Sequence, residues 1–185
     1  RWEMEWMLKM IVQDGTYQGM AYHKVHDIKW TALGMAPADD QEERILKPPT
    51  TCATLNLAAC AAQAARLWEP YDADFAKECL TAAENAYEAA KKHDDLYAPL
   101  DQSIGGGPYG DDCADDEFYW AACELYLTTG EKAYLKDLEK SDLAYTVPAT
   151  LSAGEDADTA GSFDWGNTAA LGTLSLALHK DDLEK

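Results

Sequence analysis

The chain has 185 residues, of which 47% are hydrophobic and 26% charged, and its formal net charge at pH 7 is −19. This composition is typical of a globular protein with a substantial core, and the length predicts one domain. The negative charge argues against nucleic acid and anionic membrane surfaces as partners, because no basic stripe is available to neutralise phosphates. No stretch approaches the ~18 apolar residues that a membrane span requires. A neutral, hydroxyl-rich or cationic ligand is compatible with this charge.

Apolar residues recur at helical spacing through most of the chain, and no segment shows the sustained alternation of a strand. The predicted helices cover residues 2–11, 52–68, 74–92, 114–129, 132–139 and 165–179. Longer polar loops cover residues 13–49, 94–113 and 141–162. The predicted fold class is all-α, and the short turns between several consecutive helices indicate stacked antiparallel helical hairpins.

The chain starts within an apolar helical stripe that includes Trp2, Met4 and Trp6, with no capping residue before it. We therefore expect this chain to be a piece of a larger protein. A complete domain trimmed of a tag is the alternative.

Five cysteines occur, at positions 52, 60, 79, 113 and 123, and none of them forms a CxxC pair. Cys52 and Cys60 lie in an alanine-rich helical run, a typical place for small buried thiols. We predict free, structural thiols. Neither the ligand spacing of a zinc site nor a disulfide framework is visible in the sequence.

Carboxylates are densest at the start of the helix predicted at residue 114. The cluster consists of Asp111, Asp112, Asp115, Asp116 and Glu117. Acidic residues at a helix N-terminus are favoured by the helix dipole alone, so a solvated acidic face is one interpretation. Crowded carboxylates repel one another, and a Ca²⁺ ion with its 6–8 oxygen ligands would relieve that repulsion. The spacing does not match an EF-hand loop, and both interpretations stay open at this point.

The first long loop carries Tyr22, His23, Lys24 and His26 close together. Aromatic faces beside Lys and His donors suit a sugar-binding cleft, whereas a loop histidine is in general more often a surface or packing residue. The glycines at 105–107 do not form a phosphate loop, because no GK[ST] ending follows and no strand precedes them.

Four ordered blocks of sequence resemble glycoside hydrolase family 9, the inverting cellulases. The first is Glu-Trp-Met-Leu-Lys-Met at 5–10, followed by Gly15 and Tyr-His-Lys-Val at 22–25. The second is Thr-Thr-Cys-Ala-Thr at 50–54 with Ala-Ala-Gln-Ala-Ala-Arg at 61–66, and the third is Pro-Tyr-Asp-Ala-Asp-Phe-Ala at 70–76. The fourth is Gly-Pro-Tyr-Gly-Asp at 107–111 with Asp-Glu-Phe-Tyr-Trp-Ala-Ala at 116–122. The last block is the most specific, and it disfavours another α/α-toroid enzyme such as a polysaccharide lyase. The resemblance covers essentially the whole chain. It implies an (α/α)₆ barrel and an endo-β-1,4-glucanase that hydrolyses internal β-1,4-glucosidic bonds of cellulose with inversion.

The resemblance also implies which parts of the family's catalytic domain lie outside residues 1–185. The family's catalytic base belongs to an Asp-Ala-Gly-Asp segment upstream of the first block, and its catalytic Glu lies downstream of the last one. We therefore assign no catalytic residue in this chain and expect the rest of the catalytic domain to be its partner. The alternative is a complete, non-catalytic helical module that binds calcium or glycan. Secretion follows from the family's polymeric substrate, cellulose or a related β-glucan.

Binding residues carry over from the resemblance one by one. His23, Lys24 and Tyr109 match positions that line the family's substrate cleft. For calcium, the matching ligands are Asp112, the carbonyl of Cys113, Asp116 and Glu117. In the family, an Asp directly after a Trp completes the site. Here Gly166 follows Trp165, so Asp164, which precedes that Trp, is the predicted substitute.

Overall fold

The computed structural model of the chain describes residues 1–99, 104–146 and 166–183. Its helices are α1 (Trp2–Leu8), α2 (Thr51–Trp68), α3 (Ala73–Lys92), α4 (Asp115–Thr129), α5 (Lys132–Glu139), α6 (Ala169–Leu178) and α7 (Lys180–Leu183). Two short strands, β1 (Val25–Asp27) and β2 (Arg44–Leu46), and a 3₁₀ turn at Pro37–Asp39 complete the described elements. The described helices do not include one that is long and apolar enough to cross a membrane.

Helix α2 lies at the centre of the structure. It packs along α3 on one side and α4 on the other, and α4 in turn packs against α5 and α6. The contact face of α2 consists of small buried residues, namely Ala58, Ala59, Ala61, Ala62 and Ala65. Small side chains let neighbouring helices approach closely, and Leu55 and Leu57 fill the remaining core volume.

Local sequence signals set the ends of these helices. The Thr50 side chain accepts a hydrogen bond from the Ala53 N–H at 3.3 Å, which caps α2. Asp72 caps α3 in the same way through the Phe75 N–H at 3.1 Å. Helix α4 ends at Gly130, whose φ of +70° is the left-handed conformation that glycine adopts without steric cost.

A buried ion pair joins α2, α4 and α6. Glu124 is fully buried, and its Oε2 lies 2.7 Å from Arg66 Nη2 on α2. Its Oε1 accepts from Ser175 Oγ on α6 at 2.5 Å, and from Gln63 Nε2 and Trp120 Nε1 at 3.4 Å each. Both carboxylate oxygens of Glu124 thus have partners. Without such partners, a carboxylate removed from water would destabilise the protein.

The helical prediction is confirmed for the four central helices, with boundaries that agree to within a few residues. Helix α1 ends at Leu8 and not at residue 11, because the chain turns and Ile11 pairs with Ala21 in an isolated bridge. The small antiparallel sheet, in which Val25 faces Leu46, was not predicted. Its strands are only three residues long, too short for alternation to be visible. Helix α6 begins at Ala169, later than predicted.

Candidate functional site

A cavity of about 290 Å³ opens between α1, α2 and the loop that precedes α4. Its apolar wall is supplied by Trp6, Met7 and Met10 near the N-terminus. Its polar wall consists of His23, Asn56, Tyr109, Asp111 and Glu117. A mainly apolar cleft of roughly 300 Å³ with a few convergent polar groups is the usual form of a small-molecule site.

His23 connects this cavity to the loop that precedes α4. Its Nε2 lies 3.1 Å from the Pro108 carbonyl oxygen, and its Nδ1 lies 3.2 Å from Thr50 Oγ1. Burial lowers the pKa of His23, which favours the neutral ring. In a neutral ring Nε2 must then donate to the Pro108 carbonyl, and Nδ1 accepts from the Thr50 hydroxyl. Both ring nitrogens are therefore engaged, and His23 positions the loop.

Lys24 contacts the same loop. Its Nζ donates to the Gly107 carbonyl oxygen, lies 3.5 Å from the Pro108 carbonyl oxygen, and sits 5.2 Å from the centre of the Tyr109 ring. Tyr109 has a φ of +49°, a conformation that non-glycine residues rarely adopt. Its ring is 55% exposed at the rim of the cavity. The sequence-predicted substrate residues His23, Lys24 and Tyr109 therefore form one connected unit.

The acidic cluster separates into distinct environments. Asp112 and Asp115 are exposed, whereas Asp116 and Glu117 are each 1% exposed. Asp116 Oδ2 accepts from the Thr168 N–H at 2.6 Å and from the Thr168 hydroxyl at 3.2 Å, which connects the start of α4 to the residue before α6. Asp116 Oδ1 is buried and has no hydrogen-bond partner among the residues that the structure describes.

Glu117 faces the cavity floor, where like charges surround it. Burial raises the pKa of Glu117 to about 10, and the charges of Asp116 and Asp111 contribute in the same direction. Within the described part of the chain, its buried Oε2 has no hydrogen-bond partner. Burial also raises the pKa of Asp111 to about 6, even though its Oδ1 accepts from the N–H groups of Asp112 at 2.8 Å and Cys113 at 3.0 Å. The described residues thus leave the repulsion between these carboxylates without a compensating positive charge.

The predicted calcium ligands fit this arrangement in part. The two unpartnered oxygens, on Asp116 and Glu117, are anionic oxygen donors of the kind that Ca²⁺ takes. The Cys113 carbonyl oxygen lies 3.8 Å from the Cys52 Sγ. Asp164, the predicted fifth ligand, lies outside the residues that the structure describes.

Two side chains at the cavity floor were not among the sequence-predicted site residues. Cys52 on α2 and Asp111 before α4 place ligand atoms within 4.8 Å of each other and of Glu117. Cys52 was assigned a structural role and Asp111 was only counted within the acidic cluster. No local spacing links residue 52 to residue 117, because α2 and α4 meet only in the tertiary structure.

Comparisons with known proteins point to one family. The family model described as glycosyl hydrolase family 9 matches residues 1–184. The "Cellulose 1,4-beta-cellobiosidase" of Acetivibrio thermocellus is 50% identical, over 99% of this chain and 22% of its own length. "Endoglucanase C" of Cellulomonas fimi is 52% identical, over 99% of this chain and 16% of its own length. The chain therefore spans only about a fifth of these curated relatives.

Solved structures give the same result for the fold. A metagenome-derived glycoside hydrolase family 9 endoglucanase superposes with a TM-score of 0.74 at 32% identity, over 93% of this chain and 29% of its own. The family 9 endoglucanase J30 superposes with a TM-score of 0.77 at 28% identity, over 98% of this chain and 32% of its own. The expected all-α fold, with helical hairpins that form part of an (α/α)₆ barrel, is confirmed by these neighbours.

Proposed function

The chain belongs to glycosyl hydrolase family 9, and we propose that it is part of a cellulase that hydrolyses internal β-1,4-glucosidic bonds of cellulose with inversion. Relatives named as a cellobiosidase and an endoglucanase, at 50% and 52% identity, support cellulose or a related β-glucan as the substrate. The alternative, a non-catalytic calcium- or glycan-binding module, is not favoured, because these relatives are named as enzymes.

The observation that carries this proposal is the unit formed by His23, Lys24 and Tyr109 at the rim of the cavity. An exposed tyrosine ring offers a flat apolar surface on which the face of a pyranose can stack, with a polar hydroxyl at its edge. His23 and Lys24 hold the carbonyl oxygens of the loop, so the ring stays in place before a sugar arrives. This segment would therefore bind and orient a glucosyl unit.

The reaction itself needs a carboxylic acid that protonates the leaving oxygen and a carboxylate that activates water on the opposite face of the sugar. In inverting enzymes these two groups are about 6.5–9.5 Å apart. Two carboxylates line this cavity, the half-buried Asp111 and the buried Glu117, and their ligand oxygens lie within 4.8 Å of each other. That separation leaves too little room for substrate and water, so we assign neither catalytic role to them.

Calcium is the proposed structural cofactor. Asp112, the Cys113 carbonyl oxygen, Asp116, Glu117 and Asp164 would hold it, and the two buried, unpartnered oxygens on Asp116 and Glu117 support the proposal. A bound Ca²⁺ would supply positive charge that offsets the repulsion between these carboxylates. The protein's own contribution is to connect the loop before α4 to the start of α6 through Asp116 and Thr168.

We also propose that the protein is secreted, because polymeric cellulose cannot enter a cell and its hydrolysis must therefore take place outside. The charge of −19 offers no basic surface for nucleic acid or an anionic membrane. The remaining partner is the rest of the catalytic domain, consistent with relatives that are several times longer than this chain.

The test of this function is the hydrolysis of soluble cello-oligosaccharides by the intact protein and by a Tyr109→Ala variant. Loss of the stacking surface should lower kcat/KM about 10-fold, which corresponds to about 1.4 kcal/mol of binding. The matched control is Tyr71→Ala, since Tyr71 is 81% exposed and does not line the cavity. Equal activity of the two variants, or no β-1,4-glucanase activity in the intact protein, would contradict the proposal.

A further inference from the structure

Three side chains that could ligate a metal converge on the floor of the cavity. They come from separate places in the chain: Cys52 from the first turn of α2, Asp111 from the loop before α4, and Glu117 from the first turn of α4. One ligand atom from each lies within 4.8 Å of the other two. All three side chains line the same cavity, so the cluster has a route to solvent.

Each of these three side chains has a ligand atom that is directed at the cluster. Glu117 is 1% exposed, and its Oε2 has no hydrogen-bond partner. The Cys52 Sγ lies 3.8 Å from the Cys113 carbonyl oxygen, and its other partner is the side chain of Glu117, within the cluster itself. Asp111 Oδ1 accepts two backbone N–H groups, from Asp112 and Cys113, which fixes the orientation of its carboxylate. Such supporting hydrogen bonds are what orient the ligands of established metal sites.

We propose that Cys52, Asp111 and Glu117 form a binding site for a borderline-soft divalent cation of the Zn²⁺ class, with a fourth coordination position open to the cavity. Ligand atoms of a tetrahedral zinc site, at about 2.0–2.3 Å from the metal, are roughly 3.5 Å from one another. The three ligand atoms here lie within 4.8 Å of one another, a slightly longer distance. Small side-chain rotations therefore bring them to coordination distance.

The thiol decides the class of metal. Ca²⁺ takes oxygen ligands, whereas thiolate sulfur selects zinc and softer ions. This site and the proposed calcium site share Glu117 and differ in Cys52, so the cysteine separates them experimentally. The spacing of cysteines along the chain does not indicate a zinc site, because no CxxC pair is present. The packing of α2 against α4 brings together ligands that are far apart in the chain.

The experiment titrates the intact, reduced protein with Zn²⁺ against a chromophoric chelator in buffer without Ca²⁺, because Ca²⁺ would compete for Glu117. A parallel titration with Cd²⁺ records the ultraviolet thiolate-to-metal charge-transfer band. The variants are Cys52→Ala and Glu117→Gln, and the matched control is Cys60→Ala. Cys60 is another half-buried cysteine on α2, outside the cluster. The loss of an outer-shell partner alone costs about 10–100-fold in metal affinity, so the loss of a direct ligand should cost at least about 100-fold.

The expected result is one tightly bound Zn²⁺ and a Cd²⁺ charge-transfer band in the wild type and in Cys60→Ala. Both should be lost in Cys52→Ala, while Glu117→Gln should keep a weakened band with a lower affinity. A wild type without the band, a band that survives Cys52→Ala, or equal weakening by Cys60→Ala would overturn the proposal. Far-ultraviolet circular dichroism of each variant, and Cys52→Ser as a second substitution, separate ligand loss from misfolding. No substrate is involved, so the result is independent of the proposed cellulase activity.

Discussion

Two glutamates on α4 are buried to the same extent, and their surroundings are opposite. Glu117 and Glu124 are 1% and 0% exposed, and two helical turns separate them on the same side of the helix. Glu124 is compensated by Arg66 and by hydrogen bonds from Ser175 and neighbouring side chains. Glu117 has a buried oxygen without a partner and carboxylates as neighbours. A buried charge that is fully paired holds helices together, whereas a buried carboxylate without a pairing cation has a raised pKa and is held in its neutral form.

The largest effect on stability is expected for a substitution of Arg66. Arg66→Met leaves the Glu124 charge buried without a cation, which should lower the free energy of unfolding by about 3–5 kcal/mol. Chemical denaturation at neutral pH measures this loss. The control is Lys91→Met, which breaks an exposed pair with Asp137 and should cost less than about 1 kcal/mol. Similar losses in the two variants would mean that the Glu124 pair is not the structural junction that the packing indicates.

A substitution of Glu117 should raise the free energy of unfolding, the opposite of the effect expected at Arg66. Because its folded-state pKa is raised by burial from 4.5 to about 10, its stabilising contribution is complete below about pH 4.5 and is lost as the pH rises toward 10. In the presence of a chelator, Glu117→Gln should therefore stabilise the protein at neutral pH by roughly 1–3 kcal/mol. This gain over the wild type should increase with pH.

Denaturation in chelator between about pH 5 and about pH 9 measures this difference. The matched control is Glu124→Gln, which should destabilise the protein at every pH in this range, because it removes the charge that Arg66 requires. A pH-independent difference between the wild type and Glu117→Gln would show that Glu117 is compensated by something other than a cation.

Asp116 lies between these two cases, since one of its oxygens is paired and the other is not. Asp116→Ala should lower the Tm, by the equivalent of about 1–3 kcal/mol for the lost hydrogen bonds to Thr168, and it should lower it more in calcium than in chelator. Differential scanning calorimetry with both buffers gives the two shifts. Asp115→Ala, at the exposed neighbouring position, is the control and should change neither Tm. A wild-type Tm that is the same with and without chelator would rule out a structural calcium ion.

The smallest effect is expected at Lys24. Lys24→Met removes the cation beside the Tyr109 ring and the donor to the Gly107 carbonyl, so the loop should hold Tyr109 less firmly. We expect KM for cello-oligosaccharides to rise about 3-fold with kcat unchanged, as a loss of roughly 0.7 kcal/mol in binding implies. Lys77→Met, at an exposed position on α3, should leave both constants unchanged. A fall in kcat without a change in KM would place Lys24 in the chemistry rather than in positioning.

Much of the helical framework was predictable from local signals. The caps at Thr50 and Asp72 and the terminating Gly130 each depend on residues only a few positions apart in the chain. The small sheet was not predictable, because Val25 and Leu46 pair across a long connection and each strand is short. Helix α6 begins at Ala169, later than the predicted start at residue 165.

The candidate site was also predictable from the sequence only in part. The sequence, through the family blocks, identified His23, Lys24 and Tyr109, and the structure brings them together around one loop. It also identified Asp116 and Glu117 as acidic residues at a helix start, but their burial could not be read from spacing. The role of calcium stays a prediction, as does the ligand at Asp164.

The sequence by itself determined the helices, their caps, the alanine faces that pack them and the family, because these depend on residue type and short-range spacing. The tertiary structure decided which buried charges are paired. Arg66 meets Glu124, and Cys52 meets Glu117, only because α2 packs along α4. Electrostatic compensation depends on distance in space and on removal from water, and neither is encoded in the order of residues along one helix.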